Sequence, residues 1–148
     1  MSRIQLIDVL VIGGGVVGLS AAVTMASRGF SVTVLDAGNF DLASKKKNTR
    51  VYAINAASQA LLTDCGAWEL LSDDALSPYQ NMHIWDASNQ ASIQFEARDL
   101  ARSELGFILE ETALRTALLT RAEALDVTCV SSARVSACTE TTDGMQVT

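Results

Sequence analysis

The chain has 148 residues, 49% of them hydrophobic and 19% charged, which excludes a disordered chain and suffices for one domain with a sizeable core. Its net charge of −6 argues against a nucleic-acid-binding surface, so we expect no nucleic-acid partner. Three scattered cysteines and a single histidine argue against a metal site or a disulfide framework, and they favour a cytoplasmic protein.

The N-terminal part of the chain predicts a strand, a helix and a second strand. Residues 7–12, apolar except for Asp8, predict a strand that is buried on both faces. Residues 16–28 predict a helix, and residues 31–35 predict a second strand, parallel to the first through a right-handed crossover. The helix face expected against the sheet consists of small and apolar residues: Ala21, Ala22, Met25 and Ala26.

Between the first strand and the helix, Gly13, Gly15 and Gly18 have the G-x-G-x-x-G spacing of a dinucleotide-binding turn. Gly13 permits the tight turn, Gly15 lets the backbone approach a pyrophosphate, and Gly18 lets the helix pack closely on the sheet. The helix N-terminus offers N–H groups to the phosphates. Asp36 follows the second strand, where a carboxylate accepts hydrogen bonds from ribose hydroxyls. Strand, glycines, helix and acid in this order predict a dinucleotide site.

A membrane-spanning helix is the alternative for the same segment, because residues 9–26 carry no charge. Gly14 and Gly18 also form the G-x-x-x-G pattern of paired membrane helices. Against this, adjacent glycines weaken a helix by about 1 kcal/mol each. Gly29 follows the helical pattern where a left-handed residue ends a helix. The nucleotide-binding interpretation is therefore favoured, over a secretory signal as well.

The middle of the chain predicts a loop and a second helix. Residues 37–49 are polar and include Lys45–Lys47, either a solvated loop or a basic rim that attracts an anionic cofactor. Residues 54–65 predict an amphipathic helix that Gly66 closes, and Ser77-Pro78 is expected to break the chain. The apolar stripe of that helix is Ile54, Ala57, Leu61 and Leu62.

The remaining chain mixes short strands with one more helix. Residues 81–86 and 92–96 predict two strands that leave the nucleotide domain. Residues 112–125 predict a helix, and residues 127–130 a third parallel strand. A hairpin around Thr142-Asp143-Gly144 ends the chain in mid-strand, from which we expect a truncated protein. The register of the third helix rests on Leu114, Ala117, Leu118 and Leu125.

Five segments occur along the chain in this order: 8–18 with Asp36, Arg50-Val51-Tyr52-Ala53-Ile54, Gly66-Ala67-Trp68, Met82 with Trp85-Asp86, and Gly106-Phe107-Ile108-Leu109-Glu110. Together they resemble the N-terminal part of the ubiquinone-biosynthesis hydroxylases, which are FAD-dependent aromatic monooxygenases related to p-hydroxybenzoate hydroxylase. The resemblance covers essentially the whole chain, and the second and third segments together separate this family from other FAD-binding Rossmann proteins.

This resemblance implies an α/β fold: a partial Rossmann-like FAD-binding domain with a parallel sheet, short inserted strands and a C-terminal hairpin. Residues 1–148 would be the N-terminal part of that domain, and residues 79–97 the start of a substrate-domain sheet. Arg50 would lie beside the flavin and phosphates, and Glu111 falls where relatives often carry a neutral amide near the cofactor. The full set of implied FAD contacts is Gly13, Gly15, Val16, Val17, Gly18, Asp36, Ala37, Arg50, Glu111 and Val135.

The implied activity is hydroxylation of the aromatic ring of a polyprenylated phenol or benzoquinol, with FAD as cofactor, NAD(P)H as co-substrate and O2 as oxidant. Such a lipid-soluble substrate implies peripheral contact with the inner membrane or with a biosynthetic complex. No catalytic residue can be assigned within these 148 positions, because the family's later motifs are absent. Two alternatives stay open: an amino-acid-oxidase type of FAD enzyme, and a nucleotide-binding fragment without turnover.

Overall fold

The computed structural model describes residues 5–41, 49–89 and 91–148, and these fall into two compact units. The first unit contains the described residues up to 41 and those from 118 onward, and the second contains residues 49–117. The helices are α1 (Val16–Ala26), α2 (Ala56–Asp64) and α3 (Glu111–Ala124). The strands are β1 (Val9–Ile12), β2 (Val32–Leu35), β3 (Val51–Asn55), β4 (Ser77–Tyr79), β5 (Asn81–Trp85), β6 (Ser92–Glu96), β7 (Gly106–Glu110), β8 (Thr128–Val130), β9 (Cys138–Thr141) and β10 (Gly144–Val147).

The first unit is built on a parallel sheet of order β1-β2-β8. Central β2 is a β-branched run, and its Val32 and Val34 are buried. The predicted parallel strands are confirmed, but β1 begins at Val9 and is not buried on both faces, since Ile12 is 59% exposed. The Cβ position of Gly18 in α1 lies 3.3 Å from Val11 Cγ1, so Val11 faces that helix and Ile12, the next residue, points to the opposite face of the sheet.

Helix α1 covers the sheet with a different stripe from the one predicted. Its fully buried residues are Leu19, Ala22 and Val23, whereas Ala21 and Met25 are exposed. Positions 19, 22 and 23 share one face at 100° per residue, and the prediction placed that face about one position out of register. The helix ends at Ala26. Gly29 follows with φ +90°, the left-handed conformation predicted for it from the sequence.

The C-terminal elements agree with the sequence interpretation except at the end of the third helix. Helix α3 buries Leu114, Ala117 and Leu118, but it ends at Ala124, so the predicted Leu125 lies beyond it and is half-buried. Just after α3, Asp126 has φ +56°, a left-handed conformation that a non-glycine residue rarely adopts. Strand β8 runs parallel to β2 as expected, and β9 and β10 form the predicted hairpin, with Gly144 at φ +144° after the turn.

The second unit contains a three-stranded antiparallel sheet of order β3-β7-β4, with β7 at its centre. The predicted helix 54–65 is wrong at its start, because Ile54 lies in β3, where it pairs with Phe107. Helix α2 begins only after Asn55, whose side-chain oxygen accepts a 2.9 Å hydrogen bond from Ser58 N–H. Of the predicted stripe, Leu62 is buried and Leu61 is 46% exposed.

Two further features of the second unit concern strands. The expected break at Ser77-Pro78 is wrong, since Pro78 lies in β4, an edge strand that tolerates a residue without N–H. The two predicted strands are confirmed as β5 and β6, which pair antiparallel in a sheet separate from β3-β7-β4. Whether they begin a substrate-domain sheet stays a prediction. No helix in the described ranges has the length and apolar character needed to cross a membrane.

Candidate functional site

The turn between β1 and α1 is set by glycine geometry. Gly13 has φ +107°, which L side chains rarely adopt, and its N–H donates a 2.8 Å hydrogen bond to the Leu35 carbonyl. This bond ties the end of β1 to the end of β2. The chain then reverses into α1, whose N-cap is Gly15.

Gly18 makes the closest approach in this turn. A Cβ built at Gly18 would overlap the carbonyl oxygen of Gly13 and lie 3.3 Å from Val11 Cγ1. Backbone cannot yield as a flexible side chain can, so residue 18 has to be glycine for the turn to close. The close packing predicted for Gly18 is therefore directed mainly at the turn residue Gly13.

Gly15 differs from Gly18 because the space beside its backbone is open among the described atoms. Among the described atoms, a Cβ built at Gly15 meets nothing within 4 Å. No described side chain caps α1 at Gly15, and its first turn holds no acidic residue. The next residues are Val16 and Val17, and Val17 is 82% exposed. The result is an open helix N-terminus whose N–H groups and dipole favour an anion such as a pyrophosphate.

Asp36 points its carboxylate back at this turn. Oδ2 accepts a 2.6 Å hydrogen bond from Gly14 N–H, and Oδ1 accepts a 2.7 Å bond from Gly38 N–H. Two bonds from backbone donors fix the orientation of the carboxylate beside the glycine turn.

The backbone around Asp36 is held by the segment that follows β8. Asp36 N–H donates to the Val130 carbonyl at 3.0 Å, and Ala133 N–H donates to the Asp36 carbonyl at 2.9 Å. Ser132, at φ +55°, donates to the Gly38 carbonyl at 2.7 Å. Ala37 lies between Asp36 and Gly38, whose carbonyls accept these bonds, and it is exposed. Val135 follows two residues after Ala133 and is half-buried.

The second unit holds the other two predicted positions, Arg50 and Glu111. Glu111 N–H donates a 2.9 Å hydrogen bond to the Arg50 carbonyl, so the two residues are adjacent. Arg50 is exposed and directly precedes β3. Glu111 is in the first turn of α3, where a negative charge is favourable to the helix dipole. The lysine run at 45–47 lies outside the described residues.

The sequence interpretation missed Gly14 and Phe40. A Cβ at Gly14 would overlap the Phe40 ring, so the two residues are in close contact beside Asp36. The available signal was the run of three glycines, of which the fingerprint spacing requires only the first and the third.

In the described part of the chain, the cysteines and the metal-binding residue types do not add a second site. Burial raises the pKa of the Cys129 thiol, which disfavours a reactive thiolate there. The described residues include no cluster suited to a metal ion.

Comparison with known proteins agrees with this geometry. A family model described as FAD dependent oxidoreductase matches residues 8–148. The 3-demethoxyubiquinol 3-hydroxylase of Escherichia coli is 33% identical over 119 residues, covering 79% of this chain and 30% of the relative. The ubiquinone hydroxylase UbiL of Rhodospirillum rubrum is 33% identical over 143 residues, covering 95% of this chain and 33% of the relative.

A solved structure shows the same fold. The flavin-dependent monooxygenase PieE, in complex with FAD and substrate, matches with a TM-score of 0.72 over 95% of this chain and 26% of its own, at 13% identity. The expected Rossmann-like fold and the resemblance to ubiquinone hydroxylases are confirmed. The chain spans about a third of the length of the curated relatives it matches. Since the family model covers nearly the whole sequence, the chain belongs to the FAD-dependent oxidoreductases.

Proposed function

We propose that these residues form the nucleotide-binding part of an FAD-dependent monooxygenase. The proposed reaction is hydroxylation of the aromatic ring of a polyprenylated phenol or benzoquinol in ubiquinone biosynthesis, with NAD(P)H and O2. The observation that carries the proposal is the open, uncapped N-terminus of α1 at Gly15, beside a carboxylate oriented by Gly14. The hydroxylase names of the relatives support the reaction class.

In this proposal the first unit binds the adenosine and pyrophosphate parts of FAD. The helix N-terminus at Gly15 would donate N–H groups to the pyrophosphate, and the absence of a first-turn acid in α1 favours this. The Asp36 carboxylate, oriented by the Gly14 and Gly38 amides, would accept hydrogen bonds from the ribose hydroxyls. The neighbouring positions proposed to contact the cofactor are Gly13, Val16, Val17, Gly18, Ala37 and Val135.

The second unit would contribute Arg50 and Glu111. An exposed guanidinium can pair with a phosphate oxyanion in two parallel hydrogen bonds, which suits Arg50 for the cofactor's phosphates. The hydrogen bond from Glu111 N–H to the Arg50 carbonyl holds the first residue of α3 beside the residue that precedes β3. A carboxylate beside a phosphate is unfavourable, so we assign Glu111 a place near a polar, uncharged part of the cofactor.

Bound FAD would supply the redox chemistry of the reaction, and the protein would bind, orient and shield it. Contact of the enzyme with its lipid-soluble substrate would take place at the surface of the inner membrane or within a biosynthetic complex, with the protein otherwise in the cytoplasm. We expect no turnover from these 148 residues alone, because they span about a third of the relatives' length.

Thermal unfolding in the presence of FAD, NAD or AMP tests the cofactor site. Selective stabilisation by FAD is expected, since a ligand that binds only the folded state raises the melting temperature. Gly15→Val should abolish the shift without unfolding the chain, because a Cβ there meets no described atom within 4 Å but would meet the pyrophosphate. A larger shift with NAD than with FAD, or an unchanged FAD shift in the variant, would contradict the site.

Turnover tests the reaction class. NADH or NADPH oxidation by the 148-residue chain is expected not to exceed that of free flavin. For an enzyme of the relatives' full length, a hydroxylated ring is the expected product. Stoichiometric H2O2 with an oxidised amine would instead identify the amino-acid-oxidase type of enzyme.

A further inference from the structure

The ring of Phe40 lies against Gly14, the glycine at a position where the fingerprint accepts any residue. A Cβ built at Gly14 would overlap Phe40 Cε1 and come within 2.7 Å of Cζ, a separation that real Cβ atoms essentially never show. Residue 14 therefore has to be glycine as long as the ring keeps this place. Ring and glycine form a matched pair.

Phe40 is also held from the other side of the first unit. Its backbone N–H donates a long, 3.4 Å hydrogen bond to Ser131 Oγ, immediately after β8. Phe40 also lines a cleft of about 530 Å³, whose other residues are Leu119, Val127 and Cys129 and the acidic Glu123 and Asp126. The ring is half-buried, and the backbone bond to Ser131 limits how far it can move from Gly14.

The glycine under the ring is the one that orients Asp36. Gly14 N–H donates to Asp36 Oδ2 at 2.6 Å, and the Cβ position of Gly14 lies 3.1 Å from the same oxygen. Gly14 is consequently in contact with both the ring and the carboxylate. A movement of the Gly14 peptide would change the direction of its N–H and weaken this bond, which leaves the carboxylate with its bond from Gly38 N–H.

We propose that Phe40 is a positioning residue of the cofactor site: its ring presses the Gly14 peptide into the orientation that holds the Asp36 carboxylate. This inference rests on the proposed FAD site for its functional consequence. Its structural part, the control of the Gly14–Asp36 bond by the ring, stands on the contacts alone. Preorganised groups bind a ligand more tightly because less freedom is lost on binding.

The experiment compares Phe40→Ala, Phe40→Tyr, Gly14→Ala and the double variant Gly14→Ala with Phe40→Ala. Phe30→Ala is the matched control, because Phe30 is an aromatic residue of the same unit, 48% exposed, beyond the far end of α1. Two quantities are measured: the FAD dissociation constant from flavin fluorescence, and the hydrogen-exchange rate of the Gly14 amide without FAD.

Phe40→Ala should weaken FAD binding by about tenfold, the equivalent of about 1.4 kcal/mol, and speed Gly14 amide exchange by a similar factor. Phe40→Tyr, which keeps the ring, and Phe30→Ala should leave both quantities within about twofold of the original chain. Gly14→Ala should weaken FAD binding through collision with the ring, and adding Phe40→Ala should restore part of the affinity. A merely structural ring would give additive losses.

Two results would overturn the inference. One is a Gly14 amide that exchanges as slowly in Phe40→Ala as in the original chain, and the other is a double variant that binds FAD no better than Gly14→Ala. If the original chain binds no FAD, the proposed function of the site fails. The exchange rates without FAD then still decide whether Phe40 controls the Gly14–Asp36 bond.

Discussion

Asp8 and Ser31 join the starts of β1 and β2 by reciprocal hydrogen bonds. The Asp8 carboxylate accepts from the Ser31 hydroxyl at 2.6 Å and from its N–H at 2.8 Å, while Asp8 N–H donates to Ser31 Oγ at 2.9 Å. The hydroxyl bond, followed by the backbone bond, holds the pKa of the Asp8 carboxyl below its ordinary value of 3.8. The pair therefore aligns the two strands at the end opposite the glycine turn.

This pair predicts a pH-dependent contribution to stability. Because the pKa of Asp8 is lower in the folded than in the unfolded state, its contribution is present above the unfolded value and is lost as pH falls through the folded one. Asp8→Asn should lower the melting temperature at neutral pH, and the difference from the original chain should shrink below about pH 4. Melting temperatures measured between neutral pH and pH values below 4 test this prediction. Ser31→Ala should show the same loss at neutral pH and the same narrowing of the difference in acid. A difference that is constant with pH would contradict the pair's role.

Gly18→Ala should destabilise the first unit through its collision with the Gly13 carbonyl. The expected loss is about 1–3 kcal/mol in the free energy of unfolding, or failure to fold, as for other overpacked sites. Gly15→Ala is the matched control, because a Cβ there meets no described atom within 4 Å. Urea unfolding of both variants makes the comparison. Equal losses would show that the two glycines do not differ in this way.

Asp126→Gly should stabilise the chain. Asp126 has φ +56° just after α3, where Val127 N–H donates back to the Ala122 carbonyl at 2.9 Å. Glycine adopts this conformation without strain, and its substitution also removes a negative charge from a helix C-terminus. The expected gain is about 0.5–1 kcal/mol by urea unfolding. Asp126→Asn separates the charge from the backbone effect, and a loss of stability in the glycine variant would contradict the assignment.

Leu62→Ala and Leu61→Ala test which face of α2 is buried. Leu62 is 3% exposed and Leu61 is 46% exposed, although the sequence placed both on one apolar stripe. Leu62→Ala should cost about 2–5 kcal/mol in the free energy of unfolding, and Leu61→Ala less than about 1 kcal/mol. Similar losses for both would favour the stripe that the sequence predicted.

The sequence predicted the parallel sheet well because β2 and the glycine turn are local signals. The β-branched run in β2 and the spacing of Gly13, Gly15 and Gly18 need no distant partner to be recognised. The position of Asp36 after β2 follows in the same way. Local signals could not show that the Gly14 amide donates to the Asp36 carboxylate.

The errors concern elements that depend on distant partners. Val51–Asn55 became a strand because it pairs with β7, more than fifty positions away, so the apolar periodicity that favoured a helix at Ile54 was overridden. Pro78 lies in a strand because β4 needs only one bonded edge. The contact between Phe40 and Gly14 likewise joins residues that only the folded turn brings together.

The pairing of β3 with β7 also determines where this sequence can change length. Gly106 opposes Asn55, and a Cβ at Gly106 would overlap the Ile54 carbonyl oxygen, so this end of the ladder has one register. A residue inserted within β3 would invert the facing of every side chain on one side of the insertion, including Arg50. An insertion in residues 101–105, before β7, would leave the register intact. Insertions and deletions among related sequences should therefore be frequent in that connection and rare in β3.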